Sequence, residues 1–197
     1  MNFEDNEVGL VYGKQVGYDF TPLSEAVHLN SWFGDEKIKS KESIFSNNGF
    51  SAFRYEFWKE NNFDENVSGC EDIIFTKKIV DENFYVVYEP NGIVSHFHKE
   101  NYKTIYNRFY REAIILNSFF GFKLKLSEVI FSFISECRND ISNRKIMVFP
   151  KSNFFDIFAY RLMKNTAQYF ACKTKNDPKI KINLNQYKIL KNTYFYN

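Results

Sequence analysis

Apolar and polar positions alternate between two periods along this chain, and the changes of period mark its elements. Val8-Gly-Leu-Val-Tyr-Gly13 is a short apolar run leaving at a glycine, which predicts a buried strand. Residues 16 to 43 show no period. They mix Gly17, Pro22 and Gly34 with Tyr18, Phe20, Trp32 and Phe33, which predicts a loop over a pocket. Order resumes at Ile44, with Asn47, Asn48 and Gly49 supplying turn residues before a short helix over Tyr55–Lys59 that carries Trp58. From Glu71 to about Asp81 the apolar residues Ile73, Ile74, Phe75, Ile79 and Val80 fit a helix, with Lys77 and Lys78 between them. Phe84–Tyr88 reads as a strand closed by Pro90, and Ile93–His98 as a second short strand. A strong helical pattern covers Asn101 to about Asn117. Leu124–Ile134 and Phe154–Met163 are apolar, interrupted helices with Lys and Arg at their flanks. Such segments pack on a domain, pack on a partner, or lie in a membrane interface. The stretch from Lys173 to Asn197 is rich in Lys and Asn, and its order is left open.

Two places in this pattern carry chemistry. In Ser68-Gly-Cys-Glu-Asp72 a serine is followed three residues later by Glu71, the capping-box spacing, so Glu71 and Asp72 are expected in a first helical turn. There the helix dipole and unpaired N–H groups favour ionised carboxylates, which suits a proton acceptor or a metal contact. The same pattern also serves as an ordinary helix start. The second place is the strand Ile93–His98, whose period of two puts His96 and His98 on one face. Such a pair can ligate a metal together, one can support the other, or each can be a hydrogen-bonded structural residue. His28 is the only other histidine.

Bulk properties narrow the classes. The 197 residues suffice for one domain with a real core and a small appendage. A net charge of +2 does not indicate a nucleic-acid partner. Aromatic residues at 19 % exceed globular averages, so some aromatic surface is expected. Cys70, Cys137 and Cys172 lack zinc-ligand or disulfide-framework spacing, which fits a reducing compartment. The start has the look of no signal peptide, and no apolar run approaches the roughly 20 residues needed to cross a bilayer. The expectation is a cytoplasmic protein, soluble or peripheral on the inner face of the cell membrane.

Taken together, six words in order resemble the second half of a family 2 glycosyltransferase, in particular the bacterial rhamnosyltransferase-like branch that builds surface polysaccharides such as O-antigen. They are Val11-Tyr-Gly-Lys-Gln15, Phe45-Ser-Asn-Asn-Gly-Phe-Ser-Ala-Phe-Arg54 with Trp58, Phe63-Asp-Glu65, Gly69-Cys-Glu-Asp72, Val87-Tyr-Glu-Pro90 and Val94-Ser-His-Phe-His98, over residues 8 to 112. The resemblance implies an α/β fold: a partial GT-A (Rossmann-like) domain over residues 1–112, lacking its N-terminal nucleotide-binding half, then a helical, basic and aromatic extension over 113–197. It implies inverting transfer of a sugar from a nucleotide-sugar donor to a polysaccharide or lipid-linked acceptor, with a divalent metal (Mg or Mn) on the diphosphate. By resemblance Asp72 is the catalytic base and Glu71 its neighbour in acceptor binding. Gln15, Asn47, Asn48 and Trp58 fall in the substrate pockets, and His96 or His98 is the metal contact. The family's DxD motif occurs nowhere in this sequence, so the chain alone is expected to be inactive and to need an N-terminal partner chain. Strands missing from the sheet would leave an edge and an apolar face for that partner to cover.

Two other classes use the same residues differently. One is a non-catalytic remnant, an interaction module binding a partner or a membrane surface through its aromatic and basic helices. The other is a small metal-dependent hydrolase built on Glu71, Asp72, His96 and His98.

Overall fold

The computed structural model describes residues 2–65, 67–144, 153–174 and 178–196. The strands are β1 (Val8–Gly17), β2 (Ile38–Ser40), β3 (Ser51–Phe53) and β4 (Tyr85–His96). The helices are α1 (Leu23–Trp32), α2 (Tyr55–Glu60), α3 (Glu71–Asp81), α4 (Tyr102–Phe120), α5 (Leu126–Asn143), α6 (Phe154–Cys172) and α7 (Leu184–Phe195). The fold class is mixed α/β with a four-stranded mixed sheet. Two compact units divide the chain: a sheet unit of residues 1–16 and 33–96, and a helical unit of residues 17–32 and 97–197.

In the sheet unit the strand order is β2-β4-β1-β3, with β1–β3 and β2–β4 antiparallel. Alternation along β1 sends Val8, Leu10 and Tyr12 to one face, where Tyr12 meets Phe45 and Tyr88 at ring distances of 5.7 and 5.2 Å. On the opposite face α3 lies so close that a Cβ on Gly9 would stand 2.7 Å from a methyl of Ile79. A glycine is required there by that approach. Phe75 of α3 completes this side, ringed by Phe53, Phe57 and Phe63.

In the helical unit α4 buries Ile105 and Phe109 against Tyr160 and Ala167 of α6, and α1 buries Leu23 and Val27 against Cys137 of α5 and Ile157 of α6. Those contacts explain why the units divide at residue 96 and claim α1, where the sequence suggested a boundary after residue 112. Asn101, Asn153 and Asn183 each cap a helix in a reciprocal pair with the third helical residue. Gly121 ends α4 at φ 73°, a conformation glycine adopts without strain.

The structure differs from the sequence pattern in four places. The expected loop over 16–43 contains the end of β1, all of α1 and β2. Its regularity comes from burial of Leu23 to Leu29 within the helical unit, a tertiary effect on a stretch with a weak local signal. Pro90 does not close a strand; β4 passes through it to His96, because only neighbouring residues need donate to the ladder there. The Lys- and Asn-rich stretch after Lys173 contains α7, tied down by Leu190 and Phe195, although residues 175–177 and 197 lie outside the described set. The start of α3 is the fourth and is taken up below.

Burial in the helical unit makes one pH prediction. His28 is 3 % exposed, packed against Trp32 at 4.3 Å and Phe109 at 6.1 Å, and neither ring nitrogen has a hydrogen-bond partner among the described residues. Burial first, then the positive charges of Lys164, Arg161 and Arg108, holds its pKa well below the usual 6.5. Below about 6.5 the unfolded chain therefore binds the extra proton and the folded chain does not. Stability attributable to this residue is full above that pH and is lost as pH falls toward the folded pKa. Urea midpoints measured from about pH 7 to 5 should fall more steeply for the wild type than for His28→Phe. Parallel curves for the two proteins would remove His28 from the account.

Candidate active site

Five of the residues singled out in the sequence come together on the sheet unit. Helix α3 opens at Glu71, directly after Cys70, which holds a left-handed conformation at φ 54°. Cys70 is the N-cap and contributes no side-chain cap bond. The expected Ser68–Glu71 capping box is therefore not what starts this helix, because Ser68 lies two residues outside the cap and Glu71 is the first helical residue rather than the third. Glu71 and Asp72 nonetheless occupy the first turn, as the sequence indicated.

Asp72 is fixed from both ends. Its Oδ1 accepts from the Ile73 amide at 2.9 Å, and its Oδ2 accepts from the Asn48 amide at 3.3 Å. Its backbone carbonyl accepts from Thr76 Oγ1 at 2.7 Å, and Ser46 Oγ, 3.4 Å from the same carbonyl, donates to Thr76 Oγ1 at 2.6 Å. Ser46 and Thr76 are both fully buried. Glu71 is held more loosely, with Oε1 accepting from the Asn48 side-chain amide at 3.4 Å.

The Asn47-Asn48 segment links these carboxylates to β1. Asn47 caps the single 3-10 turn Asn48–Phe50 by accepting from the Gly49 amide at 2.8 Å. The same Asn47 oxygen accepts from the side-chain amide of Gln15. A Cβ at Gly49 would stand 2.3 Å from that amide nitrogen, so a side chain there would drive Gln15 off Asn47. Gln15 is 1 % exposed, and its carbonyl Oε1 is buried without a hydrogen-bond partner among the described residues. A buried acceptor left unpaired costs about 1–3 kcal/mol, so a ligand donor that reached it would be rewarded.

Beyond this turn the sheet unit holds a pocket of about 290 Å³ with mostly apolar walls. Val11, Gly13, Phe50, Ala52 and Gly92 line it, with Glu89 and Asn2 as polar groups. Hydrogen bonds from Lys37 and Asn2 hold the Glu89 carboxyl at about 2, well below the usual carboxylate range. The volume sits at the small end of the about 300–1,000 Å³ typical of ligand sites, enough for a small ligand or one end of a larger one.

The remaining sequence candidates are placed otherwise. The Trp58 ring packs against Tyr55 at 5.9 Å and makes no hydrogen bond or ring contact with the five residues above. His96 is the last residue of β4 in the sheet unit, whereas His98 follows the strand and belongs to the helical unit. They are not neighbours on one strand face, because the chain leaves the ladder between them. His98 Nδ1 lies 2.5 Å from Glu25 Oε1 of α1, a carboxylate only 4 % exposed. Among the described residues no three His, Cys, Asp or Glu side chains converge on a point where they could hold a metal ion. Imidazole nitrogens do not fit Mg or Mn, which take mainly oxygen ligands. Cys70, Cys137 and Cys172 are buried thiols.

Sequence reasoning missed Ser46 and Thr76, which hold the Asp72 backbone, and Glu25, which engages His98. Thr76 stands four residues after Asp72, so helical spacing alone could have flagged it. Glu25 carried no signal, because its helix was not legible.

No protein-family profile, no curated protein and no solved structure matches the chain.

Proposed function

We propose that this chain is the acceptor-side portion of an inverting glycosyltransferase of family 2 type, moving a sugar from a nucleotide-sugar donor to a polysaccharide or lipid-linked acceptor. One observation carries the reading: Gln15, Asn47 and Asn48, separated from Glu71 and Asp72 in sequence, form a single hydrogen-bonded set around the first turn of α3. A sugar hydroxyl is a poor nucleophile. An aligned carboxylate that accepts its proton as the bond to the anomeric carbon forms removes much of that deficit. Asp72 has the fixed position this requires, and Glu71 and Asn48 beside it offer an acceptor and a donor for neighbouring hydroxyls. The divalent cation implied by the resemblance would need oxygen ligands from the nucleotide-binding half.

The test is transfer itself. Supplied with a nucleotide-binding half, the chain should move labelled sugar from a nucleotide-sugar donor to a glycan or lipid-linked acceptor, and the product should have the opposite anomeric configuration by NMR. Donor hydrolysis without transfer would sink the proposal, and so would retention of configuration.

A further inference from the structure

Helices α5 and α6 of the helical unit bury charged and amide groups among their apolar contacts, and both expose an apolar stripe, on α5 beside the exposed Ser127, Ser135, Arg138, Asn139 and Ser142. On α6 the exposed residues are Phe154, Phe155, Phe158, Leu162 and Phe170, all apolar, while Arg161, Lys164, Asn165 and Gln168 are buried. Phe154, Phe158 and Leu162 recur at intervals of four and so share a face, with Phe155 beside them at 70 % exposed. On α5, Leu126, Ile130 and Ile134 repeat the same interval, with Phe131 at 73 % exposed. Phe133 of α5 and Phe158 of α6 meet at a ring distance of 6.3 Å, which joins the two faces. An ordinary surface helix shows the opposite arrangement, and apolar patches of this extent on a protein surface mark interaction sites.

Charge decides what covers the face. No exposed residue of α5 or α6 is acidic. Glu136 and Asp140 are turned inward, and Arg138 is the one exposed charge along α5. The borders are basic: Lys123 and Lys125 precede α5, Arg144 follows it with its guanidinium 4.9 Å from the Phe154 ring, and Lys173 follows α6 with its ammonium 4.7 Å from the Tyr169 ring. Of the half-buried carboxylates on these helices, Glu128 pairs with Lys191 at 3.2 Å and Asp156 accepts from Tyr102 at 2.7 Å, so Phe side chains rimmed by Lys and Arg match an anionic bilayer surface. No helix among the described residues is long and apolar enough to cross a membrane, which agrees with helices lying in the interface plane.

We infer that the outer face of α5 and α6 docks on an anionic phospholipid surface, sinking its Phe and Leu side chains into the interface while the Lys and Arg at its borders meet lipid phosphates. This rests on the helical unit alone and holds whether or not the transferase reading does.

Flotation of the full chain with vesicles tests it. Vesicles of phosphatidylcholine and phosphatidylglycerol should carry the chain, phosphatidylcholine alone should carry less, and added salt should lower the bound fraction. The double variant Phe131→Gln, Phe155→Gln replaces two exposed rings, so circular dichroism should be unchanged while partition falls on the order of tenfold or more. Phe155→Trp should report an emission blue shift on adding the anionic vesicles. The inference is overturned if the wild type floats with neither vesicle, or if the double variant floats as well as the wild type. It is equally overturned if sedimentation shows a wild-type dimer that the double variant abolishes and neither protein floats, since a second copy then covers the face.

Discussion

If the chain is the acceptor side of a transferase, Asp72→Asn, supplied with a nucleotide-binding half, is expected to lower the rate of sugar transfer by about 10²–10⁴-fold while donor binding persists, the range associated with losing a positioned general base. That corresponds to about 3–5 kcal/mol of lost transition-state stabilisation. The substitution isolates basicity because the surroundings of residue 72 are built largely on its backbone. Thr76 donates to its carbonyl and Ser46 to Thr76, and both are indifferent to the side chain, so α3 should begin where it does now. The asparagine carbonyl can keep the bond to the Ile73 amide, leaving its NH₂ to face the Asn48 amide donor that Asp72 Oδ2 now satisfies. A small displacement of the Asn47-Asn48 turn is the structural cost. Glu71→Gln should act differently, raising KM for the acceptor more than it lowers kcat, because its single side-chain bond to Asn48 is long and exposed. Activity of the Asp72→Asn enzyme within a few-fold of wild type would remove Asp72 from the role of base.

Arg161→Met is expected to destabilise the helical unit by about 3–5 kcal/mol. Arg161 is fully buried and bonds Asp140 through two nitrogens, Nε to Oδ2 at 2.8 Å and Nη2 to Oδ1 at 2.6 Å. Nη2 also donates to the Ser24 carbonyl at 3.1 Å, and Ser24 Oγ donates to Asp140 at 2.6 Å, so α1, α5 and α6 meet at one carboxylate. Glu136 lies 3.5 Å from Nη1 and also accepts from Lys164 and Asn165. Two cations thus balance two anions in a space nearly closed to water. Removing the guanidinium leaves two buried carboxylates against one ammonium, and burial already disfavours the charged form of Lys164. Against a typical domain stability of about 5–15 kcal/mol, that loss is a large fraction. Pairing the change with Asp140→Leu should recover part of it, since the second substitution removes an orphaned charge, and Arg161→Lys should fall between for want of the two-pronged geometry. Helical signal followed through urea unfolding reads the effect, with each unit's transition fitted separately. A loss under about 1 kcal/mol for Arg161→Met would show that the network is not holding these helices together.

This buried network and the apolar outer face are two sides of one design. Arg161, Lys164, Asn165 and Gln168 turn inward, where acidic partners from α5 satisfy the first three and the Tyr194 carbonyl of α7 accepts from Gln168, and this leaves α6 free to present Phe and Leu outward. From the sequence, Phe154–Met163 reads as an apolar, interrupted helix with Lys and Arg at its flanks. The pattern cannot tell which face is inside, because a hydrophobic stripe is the same stripe whether it meets a core or a lipid.

What the sequence by itself determined is local and periodic. The span of α3 over Glu71–Asp81 follows from Ile73, Ile74, Phe75, Ile79 and Val80 at helical spacing. α2 and most of α4 follow in the same way, as does the placing of Glu71 and Asp72 in a first turn. The choice of Asn47, Asn48 and Gly49 as a turn rests on residue types that favour one. Tertiary structure decided what depends on residues far apart in the chain. It made a helix of Leu23–Trp32 by giving Leu23 and Val27 partners more than a hundred residues away, and it carried β4 through Pro90 to His96. It put His98 beside Glu25 rather than beside His96, and it brought Gln15 to Asn47 and Asn48 to Asp72. The physical reason is common to all of these. Local spacing selects a backbone conformation residue by residue, but burial and the pairing of polar groups are set by whatever chain segment arrives from elsewhere.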